Sequence, residues 1–341
     1  MSKKKIDIAN ISEEELLSVR ICDLPLDIDD SPLKDSVEKL YNDLAAKGTH
    51  FKPRCYLADE WLTPDGEPVI GIPFFLAHPA LIRLEKKIML EAEGETKEWC
   101  MKLLRHETGH AINYAYKLYK KKKWQKVFGP ISREYGDTYK FRPYSRNYVR
   151  HLEDYYAQYH PDEDFAETFA VWLTPGSDWT NRYKNWKALG KLEYVDSLME
   201  EIKEKPPAQK KGKLYWQASR LRTTLRNHYK KKKSFHAEVF PDFHDTNLKK
   251  IFAEKSASDA RAGSAYTLIT TYRKNIMMSV SAWTGEKKYV IDDLLTTLTK
   301  RSKELDLAVA EAEPLAILKI SVYLTTLVMN YLHTGSLRAA K

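Results

Sequence analysis

Cysteine is scarce in this chain. Three residues in 341, Cys22, Cys55 and Cys100, are odd in number, far apart and in no CxxC pair. This excludes a disulfide framework and a cysteine-rich zinc site, and it fits a reducing, cytoplasmic location. Glycine and proline are also few, 13 and 15 residues, which excludes collagen-like and low-complexity chains. The longest apolar run, Leu315 to Leu332, is interrupted by Lys319, Ser321, Thr325, Thr326 and Asn330. A membrane span would carry the lysine alone at a cost of about 3 kcal/mol, so the run reads as a buried helix opened by Pro314, with no membrane contact. The basic start, Met1 to Lys5, is followed by Asp7, Asn10 and Glu13 to Glu15, which break any signal-peptide core, so no export is expected.

Acidic residues are missing from one stretch. Between Lys205 and Lys233 there are eleven Lys or Arg residues and no Asp or Glu, so the net charge of +9 is local. The stretch opens with Lys205-Pro206-Pro207-Ala208-Gln209-Lys210-Lys211-Gly212, the best linker candidate, and continues into Leu214, Ala218, Leu221 and Leu225 at helical spacing. The plainer reading is a solvated linker followed by an amphipathic helix. The sharper one is a surface for an acidic or nucleic-acid partner, with Tyr215, Trp216 and Tyr229 as stacking groups. Lys117, Lys120 to Lys123 and Lys126 lie near a predicted helix end, where cations suit the macrodipole without any partner.

What is present suffices for cores: 43% of residues are hydrophobic and 12% aromatic, and the length suits two domains. Apolar spacing predicts a helix over 33–44, a strand over 51–57, a turn at Thr63-Pro64-Asp65-Gly66 and a returning strand over 69–76. Pro73 would place that strand at a sheet edge. Helices are expected over 79–91, from 96 towards 129, and over 161–173, with Arg133 to Arg150 irregular. Further helices are expected over 214–232, 262–284, 288–305 and 314–332. The fold class is therefore α+β, with domains over 15–204 and 214–341, the second α-helical, joined by a basic linker over 205–213.

The chemistry centres on His106-Glu107-Thr108-Gly109-His110, an HExxH pattern inside the long helix. Residues four apart share one helix face, so both imidazoles can reach one ion, with Glu107 beside them. Two ordinary surface histidines are the bland alternative. Against it, Trp99, Leu103, His106, His110 and Tyr114 form one stripe, so the histidines lie on an apolar face, and a buried imidazole needs a partner. Gly109 costs about 1 kcal/mol against Ala at mid-helix, which implies a close neighbour there. A catalytic zinc needs a third protein ligand. Glu163 and Glu167, stacked on one face of the 161–173 helix, can supply it, one binding the metal and the other orienting an imidazole. The acids Asp162, Glu163 and Asp164 also suit a helix N-terminus for dipole reasons alone.

These residues resemble the gluzincin metallopeptidases, and more closely a bacterial family of zinc-binding metallopeptidases. The similar stretches are Asp59-Glu60-Trp61 with Pro64-Asp65-Gly66, Ile72 to Pro79, Arg105 to His110, and Tyr156-Ala157 with His160 to Thr168. Glu163-Asp164-Phe165-Ala166-Glu167 is also similar to the ligand helix of the anthrax lethal factor protease. The resemblance implies a zincin-like domain holding one Zn2+ per chain through His106, His110 and Glu163. It further implies Glu167 as an outer-shell or alternative ligand, Glu107 as general base and Tyr156 as an assisting phenol. The implied activity is hydrolysis of a peptide or amide bond, with an extended peptide pairing with the 69–76 strand. The alternative is a basic nucleic-acid- or protein-binding protein with a structural zinc site, in which Glu107 would have no task.

Overall fold

A computed structural model describes residues 6–134, 142, 144–152, 155–234, 244–254 and 263–334. Two units divide the chain, residues 1–86 with 92–228, and residues 87–91 with 229–341. The described residues are helix-rich with two two-stranded sheets, an α+β composition.

In the first unit the helices are α1 (Glu13–Ser18), α2 (Leu33–Ala46), α3 (Pro79–Met89, whose last three residues belong to the second unit), α4 (Lys97–Ala115), α5 (Lys122–Phe128), α6 (Pro161–Leu173), α7 (Trp179–Arg182) and α8 (Lys187–Ile202). The start of α4 is set by Thr96, whose hydroxyl accepts from the Trp99 N–H at 3.2 Å. It ends at Ala115 instead of running on towards 129, because Lys117 takes a left-handed backbone (φ 53°) and α5 restarts at Lys122. At the start of α6, the His160 ring accepts from the Asp162 N–H and Pro161 occupies the first turn. Nearly all of α4 from Cys100 onward and the whole of α6 are buried. The two helices meet at Gly109, where a Cβ would lie 2.6 Å from the Ala166 Cα, so Ala166 is the close neighbour that the mid-helix glycine implies. A buried ion pair between Arg105 and Asp43, 2.7 Å, ties α4 to α2.

The sheet departs from the expected hairpin. Strands β1 (Arg54–Ala58) and β2 (Val69–Pro73) pair in parallel, Arg54 opposite Val69. The intervening residues fold back so that Leu62 bridges Gly71 on the other side of β2. Gly71 permits this, since a Cβ there would meet the Leu62 side chain at 2.4 Å. Thus β2 is flanked on both sides at its centre and is not the free edge that Pro73 suggests.

The first unit also contains residues 214–228. No helix forms over 214–224 apart from a single turn at Ala218–Arg220. Leu214 instead packs on Tyr56, Ala58 and Val69, and Gln217 bridges Ala58, so the apolar spacing serves contact with the sheet. Helix α9 (Leu225–Ser234) follows. Tyr229 is buried and cannot serve as a stacking group on the surface, whereas Tyr215 and Trp216 are exposed.

In the second unit α10 (Asp245–Ile251), α11 (Ala265–Thr284), α12 (Lys288–Glu304) and α13 (Glu313–Thr334) surround a core that includes Leu268, Ile276, Leu295, Ile320 and Leu324. Two-residue strands β3 (Ala253–Glu254) and β4 (Leu307–Ala308) pair antiparallel. The last three helices lie where the apolar periodicity places them. Only one face of α13 is buried, however, and Leu315, Leu318 and Val322 are exposed on the other. Among the described residues α13 is the helix long and apolar enough to cross a membrane by length and composition.

Candidate metal centre

One turn of α4 and the first two turns of α6 face each other, and they bring together His106, His110 and Glu163, all buried. The His106 Nε2 lies 3.1 Å from the Glu163 Oε2, and the His110 Nε2 lies 3.2 Å from the same oxygen. The two Nε2 atoms are 3.2 Å apart. Ligands of a tetrahedral zinc at about 2.0–2.1 Å stand about 3.3 Å from one another, which these separations match.

The opposite ring nitrogens are fixed by other carboxylates. The His106 Nδ1 lies 2.8 Å from Glu167, and the His110 Nδ1 lies 2.9 Å from Asp162. With each Nδ1–H donated outward, both Nε2 atoms carry lone pairs that face each other and the Glu163 oxygen. Protonating both nitrogens would set two N–H groups against one acceptor at the same close range. A cation at the common point removes either conflict, so the donor set fits a metal. Burial alone disfavours a charged imidazole, but Glu163 and Glu167 outweigh it and push His106 up to about 9. Asp162 and Glu163 raise His110 in the same way. The cluster thus demands positive charge where the three donors meet.

The supports are themselves held. Asp162 accepts from the Tyr114 hydroxyl at 2.6 Å and from the Asn113 amide at 2.6 Å. Glu167 accepts from the Leu152 N–H at 2.9 Å. Burial works against ionisation of both acids, yet the imidazoles and these donors lower both pKa values. Asp162 is the residue whose part the sequence does not disclose, because an acid in a first turn has a sufficient reason in the helix dipole. Its signal lay in Tyr114, which continues the histidine stripe one turn further and reaches the same carboxylate.

Glu107 is buried beside the cluster. Burial raises its pKa, partly offset by His106 and His110. The Thr63 hydroxyl donates to the Glu107 carbonyl at 3.1 Å, which fastens the returning segment 59–63 against α4. Tyr156 stands over His106 with ring centroids 5.6 Å apart, and burial with Glu163, Glu107 and Glu167 nearby keeps its hydroxyl protonated. The ring of the adjacent Tyr155 lies 5.5 Å from the Arg150 guanidinium. The structure therefore gathers His106, Glu107, His110, Tyr156, Glu163 and Glu167 at one place. His106 is bridged by Glu163 on its Nε2 side and by Glu167 on its Nδ1 side.

Residues 86–200 match a family model described as "Putative zinc-binding metallo-peptidase", a span that includes both α4 and α6. No curated protein and no solved structure matches the chain.

Proposed function

We propose that this protein is a zinc-dependent metallopeptidase with a zincin-like first domain, of gluzincin type, hydrolysing a peptide or amide bond. The observation that carries this is the convergence of the His106, His110 and Glu163 donors at 3.1–3.2 Å with Glu107 buried alongside. His106, His110 and Glu163 would hold the metal, and Glu167 and Asp162 would orient the two imidazoles. A zinc ion in such a set acts as a Lewis acid, lowering the pKa of a water to about 7 and polarising a scissile carbonyl.

The chain's own residues do the rest. Glu107, raised by burial, is the base that takes the proton of the attacking water and passes it to the leaving amine. Tyr156, kept protonated, donates to the developing oxyanion. No covalent intermediate is needed. Substrate pairing shifts from β2 to the segment beside it. Leu62 turns its N–H and C=O to Gly71 at 3.3 and 2.8 Å, so strand alternation directs those of Trp61 and Thr63 to the other side. Thr63 touches the Glu107 carbonyl, so an extended peptide pairing there would lie next to the base.

The test combines metal analysis with incubation of wild type and Glu107→Gln in a diverse peptide library, read by mass spectrometry. Wild type should carry about one zinc per chain and cleave. Glu107→Gln should keep the zinc and leave the library intact, while His106→Ala and His110→Ala should lose the zinc. Cleavage by Glu107→Gln at the wild-type rate would end the hydrolase reading.

A further inference from the structure

The first unit ends in a surface that hydrolysis does not use. Residues 209–224 cross it as a strap fastened along its length. The Gln209 N–H donates to the Ala115 carbonyl at the end of α4 at 3.0 Å, and the Lys213 N–H donates to Glu67 at 2.9 Å. The Tyr215 carbonyl accepts from the Tyr56 hydroxyl at 3.0 Å, and Gln217 bridges Ala58 at the end of β1. The Leu221 and Thr223 carbonyls accept from the Cys22 and Ile21 N–H groups at 2.9 and 3.0 Å. Gly212 lets the strap lie close, since a Cβ there would meet Val69 at 3.0 Å. Side chains on this strap therefore project from a fixed backbone and not from a free coil.

What they project is cationic and aromatic. Lys210, Lys211, Lys213, Arg220 and Arg222 are exposed, and among the described residues no carboxylate forms an ion pair with them. By contrast, Lys205 and Arg226 at the two ends are paired with Glu201 and Glu14. Between the cations stand Tyr215, 41% exposed, and Trp216, 55% exposed, with ring centroids 6.0 Å apart. In the described part of the first unit only Tyr144 joins them as a large exposed ring. Trp216 has φ +47°, a left-handed backbone that a bulky residue adopts at a cost, and there the ring stands outward instead of packing inward.

We infer that the strap 210–222 binds single-stranded nucleic acid, with bases stacked on Tyr215 and Trp216 and phosphates met by the five cations. An acidic peptide would use the cations, but its carboxylate side chains offer the two rings no π-face to stack on. A duplex would keep its bases in its own stack, out of reach of the rings. Flat π-faces flanked by unpaired Lys and Arg are what an unstacked strand requires. None of these side chains belongs to the metal cluster, so this surface and the hydrolytic reading stand or fall separately.

The experiment titrates a fluorescently labelled oligothymidylate with the full-length, zinc-loaded protein and follows anisotropy at several salt concentrations. Binding should weaken with salt by about 0.7 log units per log unit of salt for each phosphate neutralised, and the slope should not exceed about 3.5 for five cations. Trp216→Ala should weaken binding about tenfold and Trp216→Phe should retain most of it, since the loss is one stacked base. Arg220→Gln with Arg222→Gln, both exposed, should lower the salt slope. Zinc content and circular dichroism verify that each variant is folded, and Glu107→Gln should bind the oligonucleotide like wild type. The proposal is overturned by no binding at low salt, or by Trp216→Ala and the double arginine variant both binding like wild type. Displacement of the oligonucleotide by a duplex of equal length at equal concentration would also overturn it, and the same displacement by polyglutamate would assign the strap to an acidic protein partner.

Discussion

Three carboxylates touch the two imidazoles, and they do so on different sides, which sets what each substitution should do. Glu163 lies on the Nε2 side of both rings, so Glu163→Gln should lose zinc much as the histidine variants do. Glu167 and Asp162 lie on the Nδ1 sides, 2.8 and 2.9 Å away, so Glu167→Gln and Asp162→Asn should weaken zinc affinity by about 10 to 100-fold, measured by competition with a chelating dye. Equal loss from Glu163→Gln and Glu167→Gln would make the two acids interchangeable as ligands. Tyr156→Phe should leave zinc content intact and lower kcat, since a donor to an oxyanion is worth about 3 kcal/mol in the transition state. Away from the centre, His244 titrates in a different sense. It is buried, its Nδ1 lies 2.8 Å from the Tyr323 hydroxyl, and burial lowers its pKa although Asp245 opposes this. An unfolded histidine takes up its proton near pH 6.5, before the folded one does. Stability is therefore undiminished above that pH and falls as the pH drops through 6.5 towards the lower folded value. In urea unfolding at pH 7.5 and 5.5, the stability of wild type relative to His244→Gln should be lower at pH 5.5 than at pH 7.5.

At the scale of elements, the closeness of α4 and α6 is what allows ligands from both to meet, and Gly109 is what allows the closeness. Gly109→Ala would set a Cβ 2.6 Å from the Ala166 Cα and 3.0 Å from its carbonyl oxygen, atoms of a helix backbone that cannot move alone. The gain in helix propensity, about 1 kcal/mol, should be outweighed by overpacking of about 1–3 kcal/mol together with displaced ligands. Gly190, within α8, makes the comparison fair, because nothing lies within 4 Å of a Cβ built there. Gly190→Ala should be neutral or slightly stabilising, while Gly109→Ala should lower both the urea midpoint and the zinc content. Similar midpoints for the two variants would show that the helices can separate at little cost.

At the scale of the whole molecule, a metal held between α4 and α6 would stabilise one region and leave another untouched. A ligand present at about a thousandfold over its Kd contributes about 4 kcal/mol to the state that binds it. Removing zinc with a chelator should therefore increase amide hydrogen exchange in α4 and α6, where His106, His110 and Glu163 lie, and leave the cores of α11, α12 and α13 unchanged. Uniform deprotection of all these helices, or none, would contradict a metal held at that place.

Local physics suffices for several of these features. The HExxH spacing, the pair Glu163 and Glu167 one turn apart, the starts of α4 near Thr96 and of α6 at Pro161, and the periodicity of α6 and of the last three helices all depend on contacts within a few residues, which is why the sequence discloses them. A mid-helix glycine implies a close neighbour for the same reason, though not which one. The parallel pairing of β1 and β2, the return of Leu62 to Gly71, the break at Lys117 and the course of 214–224 along the sheet depend on partners many positions away. Apolar residues at helical spacing can equally face a sheet edge, and only the competition between those partners decides. The same holds for the assignment of Asp162 to His110 and of Glu167 to His106. A carboxylate in a first turn is satisfied by the dipole alone, and it becomes an imidazole's partner only when another helix brings a ring nitrogen to about 3 Å from it.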